Sequence, residues 1–127
     1  MQPSTLLAIL ATTATASAKC FNQVKEGTAF WGSHDIAMNF VDEICNSGNM
    51  AGYFEAGQAK QACSAVSLDG RINWLVKWTD PESIGGLTLN DDDCKLRLKQ
   101  EISMCLAGGS TTHNGWEFMS DPNFGTC

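Results

Sequence analysis

The chain has 127 residues, of which 14 are acidic and 8 are basic, and its formal net charge is −6. This length suits one domain. Because the net charge is negative, nucleic acids and anionic membrane surfaces are disfavoured as partners on electrostatic grounds.

Residues 1–18 are typical of a secretory signal peptide. They contain no charged side chain, include an apolar run at residues 6–11 and end in Ala16-Ser17-Ala18. This pattern predicts cleavage after Ala18, leaving residues 19–127 as a single cysteine-rich domain that is secreted from the cell. The apolar run is far shorter than the ~20 residues that a membrane span needs, so no span is expected.

The cysteines of the chain all lie in residues 19–127, at Cys20, Cys45, Cys63, Cys94, Cys105 and Cys127. In a short secreted chain, this even number predicts a framework of disulfides, but it does not say which cysteines pair. A zinc site is the competing use of cysteine. It is disfavoured because the chain contains no Cys-x-x-Cys pair and the secretory route does not favour free thiols. We therefore expect structural disulfides and no metal or other cofactor.

The first predicted helix covers residues 35–45. Ile36, Phe40 and Ile44 recur there at intervals of four, as on one face of an amphipathic helix. Before it, residues 28–31 indicate a short strand.

A hairpin is predicted in the middle of the chain. Residues 46–57 are rich in Gly, Asn and Ser and indicate a loop. Residues 58–66 and 72–78 then predict two strands joined at Asp69-Gly70, a strong turn signal. One face of the first strand carries Ala59, Gln61, Cys63 and Ala65. One face of the second carries the predicted core residues Ile72, Trp74, Val76 and Trp78.

The second predicted helix covers residues 91–105 and organises the rest of the chain. Asn90 suits the N-cap, and the helix dipole favours the three aspartates that follow it. Cys94, Leu98, Ile102 and Cys105 fall on one buried stripe. The spacing also predicts surface ion pairs Asp91/Lys95 and Asp93/Arg97, and Gly108-Gly109 is expected to end the helix.

The remaining segments predict a loop at residues 79–89, a polar turn at 110–115, a last strand at 116–119 and a turn at 121–123. The order helix, hairpin, helix, strand favours an α+β fold: a small disulfide-stapled two-layer sandwich, with an antiparallel sheet covered by two helices on one face.

The order of cysteines and elements resembles the KP-four-type fungal killer toxins and related small secreted fungal effectors. The resemblance covers residues 20–127 and is carried by Ala62-Cys63 before the hairpin, INWLVKW after it, the Cys94-to-Cys105 helix and the terminal Cys127. It implies the disulfides Cys45–Cys127, Cys63–Cys94 and Cys20–Cys105.

The resemblance also implies a role. The toxin of this type interferes with calcium channels from outside the cell, and a basic residue just before the hairpin cysteine matters to it. Here Gln61 occupies the nearest position, with Lys60 beside it. The family's toxin is basic, whereas this chain is acidic, so the scaffold is expected to serve a different target.

Binding is favoured over catalysis. His113 is a candidate acid or base, but no spacing places a partner beside it, and an exposed loop histidine is the simpler interpretation. Trp31 and Trp116 either present aromatic faces to a ligand or close the core. Loop residues 81–86 and the turn at 110–115 are further contact surfaces.

The sequence thus predicts a secreted, monomeric, non-enzymatic, toxin-like effector, with Lys60, Gln61, His113 and Trp116 as binding candidates. Its target is an extracellular protein or glycan on host or competitor cells, a membrane ion channel being one such protein. A cell-wall carbohydrate-binding module and a small secreted hydrolase are the alternatives.

Overall fold

The computed structural model of the chain describes residues 16–21, 31–79 and 85–127. Two helices and seven strands follow one another along these residues. They are β1 (Ala16–Cys20), α1 (His34–Ile44), β2 (Gly52–Phe54), β3 (Ala59–Ser67), β4 (Gly70–Trp78), β5 (Leu87–Leu89), α2 (Asp91–Met104), β6 (Gly109–His113) and β7 (Trp116–Phe124). The predicted α+β sandwich, with a sheet covered by two helices, is confirmed.

The main sheet has five strands in the order β1-β6-β7-β4-β3, and every neighbouring pair is antiparallel. A separate two-stranded sheet pairs β2 with β5. Strand β1 begins at Ala16 and therefore crosses the predicted cleavage point after Ala18. The rest of the predicted signal peptide, and residues 28–30 of the predicted first strand, lie outside the described residues.

Alternation along β4 sorts the sheet into two faces. Ile72, Trp74, Val76 and Trp78 are all buried, as the sequence predicts, and they form the core with the inner sides of both helices. Residues between them, such as Asn73 and Leu75, are half-buried on the outer face. Successive side chains of a strand point to opposite faces, so this register fixes the outer face for β3 as well.

Helix α1 begins after Ser33, whose hydroxyl accepts a hydrogen bond from the Ile36 N–H at 3.3 Å. The buried residues of α1 are Ala37, Val41 and Ile44. The predicted stripe was therefore partly wrong, since Ile36 is 48% exposed. The buried side of the helix passes through Ala37 and Val41, at helical spacing from Ile44, and this leaves Ile36 at its edge.

Helix α2 begins after Asn90, whose side chain accepts from the Asp93 N–H at 2.7 Å. Its predicted stripe is confirmed, because Cys94, Leu98 and Ile102 are fully buried and Cys105 nearly so. The predicted ion pairs Asp91/Lys95 and Asp93/Arg97 do not form within 4.0 Å.

An ion pair instead joins the two helices, from Lys99 Nζ to Asp42 Oδ1 at 2.8 Å. Both side chains are partly exposed, so it stabilises the fold by no more than about 1 kcal/mol.

The three disulfides are Cys20–Cys105, Cys45–Cys94 and Cys63–Cys127. The first agrees with the resemblance, whereas the implied pairs Cys45–Cys127 and Cys63–Cys94 were wrong. Cys63 lies on the outer face of β3 and Cys94 lies in the core on the other side of the sheet, so their sulfurs cannot meet. The end of α1 instead lies beside the first turn of α2, with the Cα atoms of Cys45 and Cys94 5.6 Å apart.

Two segments predicted as turns are strands. The polar stretch at residues 110–115 forms most of β6, and only Asn114-Gly115 turns the chain. Residues 121–123 continue β7 beyond the predicted end at residue 119. Pro122 is tolerated there because it lies past the last residue that pairs with β6, where β7 has one neighbour.

Gly108 does not end α2, whose last helical residue is Met104, but allows β6 to pass close to β7. Its φ is +88°, and a Cβ atom on it would lie 2.4 Å from the Ser120 carbonyl oxygen. We expect Gly108→Ala to lower the free energy of unfolding by roughly 3 kcal/mol or more in urea titrations, since backbone must move. Gly57→Ala is the matched control, because φ there is +82° with nothing within 4 Å, and should cost only about 1 kcal/mol. Equal losses would contradict the proposed clash.

No helix among the described residues is long and apolar enough to cross a membrane.

Candidate functional site

A cavity of about 450 Å³ lies where α2, β5 and the β6–β7 hairpin meet. Its apolar lining consists of Trp78, Leu87, Leu89, Trp116 and Phe118. Its polar lining consists of Asp93, Arg97, His113 and Asn114. A cavity of this size, lined by both apolar side chains and a few convergent polar groups, has the composition of a small-molecule site.

Aromatic rings form the floor of the cavity. Trp116 packs edge-on against Phe54 at 5.0 Å between ring centroids, and its ring is tilted by 43° against that of Trp78 at 4.9 Å. Phe54 belongs to β2, so this cluster also attaches the small sheet to the large one. Because Trp116 is only 7% exposed and holds these rings together, it is chiefly a core residue that also borders the cavity.

One side of the cavity is the first two turns of α2. The Asp93 carboxylate accepts a hydrogen bond from the Asn90 side-chain amide at 3.0 Å, so one of its oxygens is engaged in capping the helix. Arg97, one turn further along, is half-buried and donates no hydrogen bond to any described residue. Its guanidinium is the cationic group of the cavity.

His113, the last residue of β6, supplies the opposite side. Its Nε2 lies 3.2 Å from the side-chain amide nitrogen of Asn114. Its Nδ1 is buried and has no hydrogen-bond partner among the described residues. Burial, reinforced by the nearby positive charge of Arg97 and opposed by Asp93, lowers the pKa of His113. The neutral imidazole is therefore favoured.

A buried carboxyl group lies behind the cavity. Glu101, one turn beyond Arg97 on α2, is 2% exposed. Its carboxyl oxygens contact the hydroxyls of Thr111 on β6 and Ser120 on β7, the latter at 3.2 Å. Burial raises the pKa of Glu101 to about 8, although both hydroxyls and the charge of Arg97 act in the other direction. Glu101 does not line the cavity, so it does not contact anything bound there.

The structure brings two of the four predicted binding residues together, His113 and Trp116. Lys60 lies elsewhere, where its ammonium donates to the Ala51 carbonyl at 2.7 Å and sits 4.1 Å from the centre of the Phe54 ring. Burial lowers the pKa of Lys60. Gln61 is exposed on the outer face of β3, and Trp31 is buried with its indole N–H donating to the Cys105 carbonyl at 2.7 Å. Of the predicted contact loop, residues 81–84 lie outside the described residues.

Sequence reasoning missed Arg97 and Glu101 as site residues, whereas Asn114 was included in the predicted contact turn at residues 110–115. One signal was available, because Asp93, Arg97 and Glu101 recur at intervals of four and so share one side of α2. Among the described lining residues none is Ser, Thr or Cys. The lining therefore offers binding groups and one titratable imidazole, without a hydroxyl or thiol nucleophile.

The fold and the cavity together define a small α+β protein with three disulfides and a ligand-sized cavity. Searches against protein-family models, curated proteins and solved structures find no match to this chain.

Proposed function

We propose that the chain is a secreted, non-enzymatic, effector-type protein that binds an extracellular target through the cavity between α2, β5 and the β6–β7 hairpin. The observation that carries this proposal is the cavity itself, in which polar groups from α2 and β6 face an apolar wall. Such a site binds a small molecule or one projecting group of a larger target.

Two further features support secretion and binding. All six cysteines are paired, which suits an oxidising compartment and leaves no thiol for catalysis. The likeness of the cysteine and element order to killer toxins adds the expectation of action on host or competitor cells, with a protein such as an ion channel or a glycan as the target.

The test is to apply the purified protein to plant tissue and to fungal cultures, with a reduced and alkylated sample as the unfolded control. We expect a growth or tissue response from the oxidised protein alone. Leu87→Trp should remove the response, because the half-buried Leu87 lines the cavity and an indole there would fill it. Leu96→Trp is the matched control, since Leu96 is 51% exposed on α2 and does not line the cavity. A response that survives Leu87→Trp, or no response to the oxidised protein, would reject the proposal.

A cell-wall glycan is the second candidate target. It is favoured by the combination of three aromatic side chains with Asp93, Arg97, His113 and Asn114 around one cavity, since sugars present apolar faces and many hydroxyls. A glycan-binding protein should co-sediment with insoluble chitin or glucan, and His113→Ala should weaken that binding. His113 is a better probe than Trp116, whose removal would disrupt the aromatic cluster. Failure to sediment with any wall polymer would remove this candidate.

A further inference from the structure

The imidazole of His113 lines the cavity but offers it no free hydrogen-bonding group. The side-chain amide nitrogen of Asn114 can only donate a hydrogen bond, so Nε2 of His113 must accept it across the 3.2 Å contact. In the neutral ring the single proton then sits on Nδ1, which is buried without a partner among the described residues. With Nδ1 out of reach of solvent and Nε2 occupied by Asn114, the neutral His113 leaves Arg97 as the group that can bind a charged ligand in the cavity.

Arg97 supplies unused donors to the cavity. Its guanidinium has five N–H groups and no acceptor function, and it donates to no described residue. The guanidinium matches the two oxygens of a carboxylate in geometry as well as in charge.

The carboxylate of Asp93 does not cancel the positive charge that Arg97 brings to the cavity. Its side chain is exposed, so its charge is screened by solvent, and Asn90 already occupies one of its oxygens. The remaining walls, including Trp78, Leu87 and Phe118, are apolar and suit a hydrocarbon or aromatic body.

We infer that the cavity binds a carboxylate carried on a small apolar body, with the carboxylate held by Arg97 and the body against the aromatic floor. Either a free organic acid or the C-terminal residue of an apolar peptide has this chemistry. The inference rests on the proposed use of the cavity as the binding site and specifies the chemical class of the group bound.

Calorimetric titration of the purified protein tests this with a pair of ligands matched in shape. Phenylacetate carries the carboxylate, whereas phenylacetamide keeps the aromatic body and removes the charge. We expect the amide to bind at least about 10-fold more weakly, since charge-assisted hydrogen bonds are about twice as strong as neutral ones. Peptides ending in Phe, with either a free or an amidated C-terminus, show whether the cavity accepts a chain end as well as a free acid.

Variants locate the binding. Arg97→Gln should weaken phenylacetate binding by roughly 10- to 100-fold. Lys95→Gln, which removes a positive charge from the same helix outside the cavity lining, should leave it within about 2-fold. Equal affinity for acid and amide, binding unaffected by Arg97→Gln, or binding of N-acetylglucosamine in place of the acid would overturn the inference.

The biological assay separates this inference from the proposed function. If phenylacetate binds as expected but cells do not respond to the protein, the effector proposal fails and the carboxylate site stands. If cells respond, and respond equally to the Arg97→Gln variant, the carboxylate site is wrong while the effector proposal stands.

Discussion

Glu101→Gln should make the protein more stable than the unchanged chain at pH 8.5, by roughly 3 kcal/mol, and no more stable at pH 4. Glu101 is 2% exposed, and its pKa rises from the ordinary value of 4.5 to about 8, chiefly because burial penalises the charged form. A neutral glutamine in the same place avoids that penalty at every pH.

The sign follows from proton linkage. The folded state holds the Glu101 proton up to about pH 8, whereas the unfolded chain releases it near pH 4.5. Between these values the folded state binds more protons, so the free energy of unfolding falls as the pH rises. At about 1.4 kcal/mol per pKa unit, the loss is on the order of 5 kcal/mol and is complete above pH 8. The stabilisation is fully present only below the unfolded pKa.

The hydrogen bonds around Glu101 suit the protonated acid. The Ser120 hydroxyl can donate only once, and the Leu98 carbonyl lies closer to it, at 3.0 Å, than Glu101 Oε1 does, at 3.2 Å. A protonated Oε1 can then donate to Ser120 while Oε2 accepts from Thr111. A glutamine amide reproduces both bonds and leaves one N–H without a partner, which offsets the gain by about 1–2 kcal/mol.

Urea unfolding of both proteins from pH 4 to pH 9 measures the effect. Glu43→Gln is the matched control, since Glu43 is exposed on α1 and this variant should follow the curve of the unchanged chain. Parallel curves for the Glu101→Gln variant and the unchanged chain would show that the carboxyl of Glu101 is not held neutral by the fold.

The helix that carries Glu101 shows what the sequence could and could not predict. Cys94, Leu98 and Ile102 were predicted to be buried because apolar residues at helical spacing have few other uses. Glu101 lies beside that stripe. A prediction made from the pattern of apolar residues, however, places every carboxylate on the surface. Its burial is tolerated because its carboxyl group contacts the hydroxyls of Thr111 on β6 and Ser120 on β7. The periodicity of the helix sequence contains no information about partners on other elements.

The β6–β7 hairpin was missed for a different reason. Residues 110–115 are small and polar, a composition typical of a loop. Within the hairpin, therefore, only residues 116–119, the first part of β7, were correctly predicted to form a strand. Asn114-Gly115 is itself a two-residue hairpin signal, and both residues have positive φ, 50° and 86°. Recognising that signal would have extended a strand on either side of it and placed His113 next to Trp116.

The cysteine pairing depends on which face of the sheet the helices cover. Alternation correctly grouped Cys63 with Gln61 and Ala65, but period-two alternation is the same for an inner and an outer face. Only the packing of the core against Ala62 and Val66 makes the Cys63 face the outer one. This face excludes the pair Cys63–Cys94 that the resemblance implied, and the observed Cys63–Cys127 bridge excludes Cys45–Cys127 as well.

Two of the observed disulfides, Cys45–Cys94 and Cys63–Cys127, differ from the implied pairing. Removing each of them should lower the free energy of unfolding by unequal amounts, with the larger loss from Cys45→Ala/Cys94→Ala. The two bridges close similar stretches of chain, with sequence separations of 49 and 64, so loop entropy predicts about 4 kcal/mol for each. Cys45 and Cys94 are also fully buried between the helices, whereas Cys63 and Cys127 are exposed. Truncating the buried pair leaves a cavity as well, which should add roughly 1–2 kcal/mol to its loss.

Urea unfolding of the two double-alanine variants at one pH measures this difference, each serving as the control for the other. Brief treatment of the unchanged protein with a thiol reductant, followed by alkylation and peptide mapping, should label Cys63 and Cys127 before Cys45 and Cys94, because attack on a disulfide requires access to its sulfur. Labelling of Cys63 together with Cys94 would restore the pairing that the toxin resemblance implied. Equal stability losses would instead show that the helix-to-helix bridge adds nothing to packing, and that chain entropy alone accounts for both bonds.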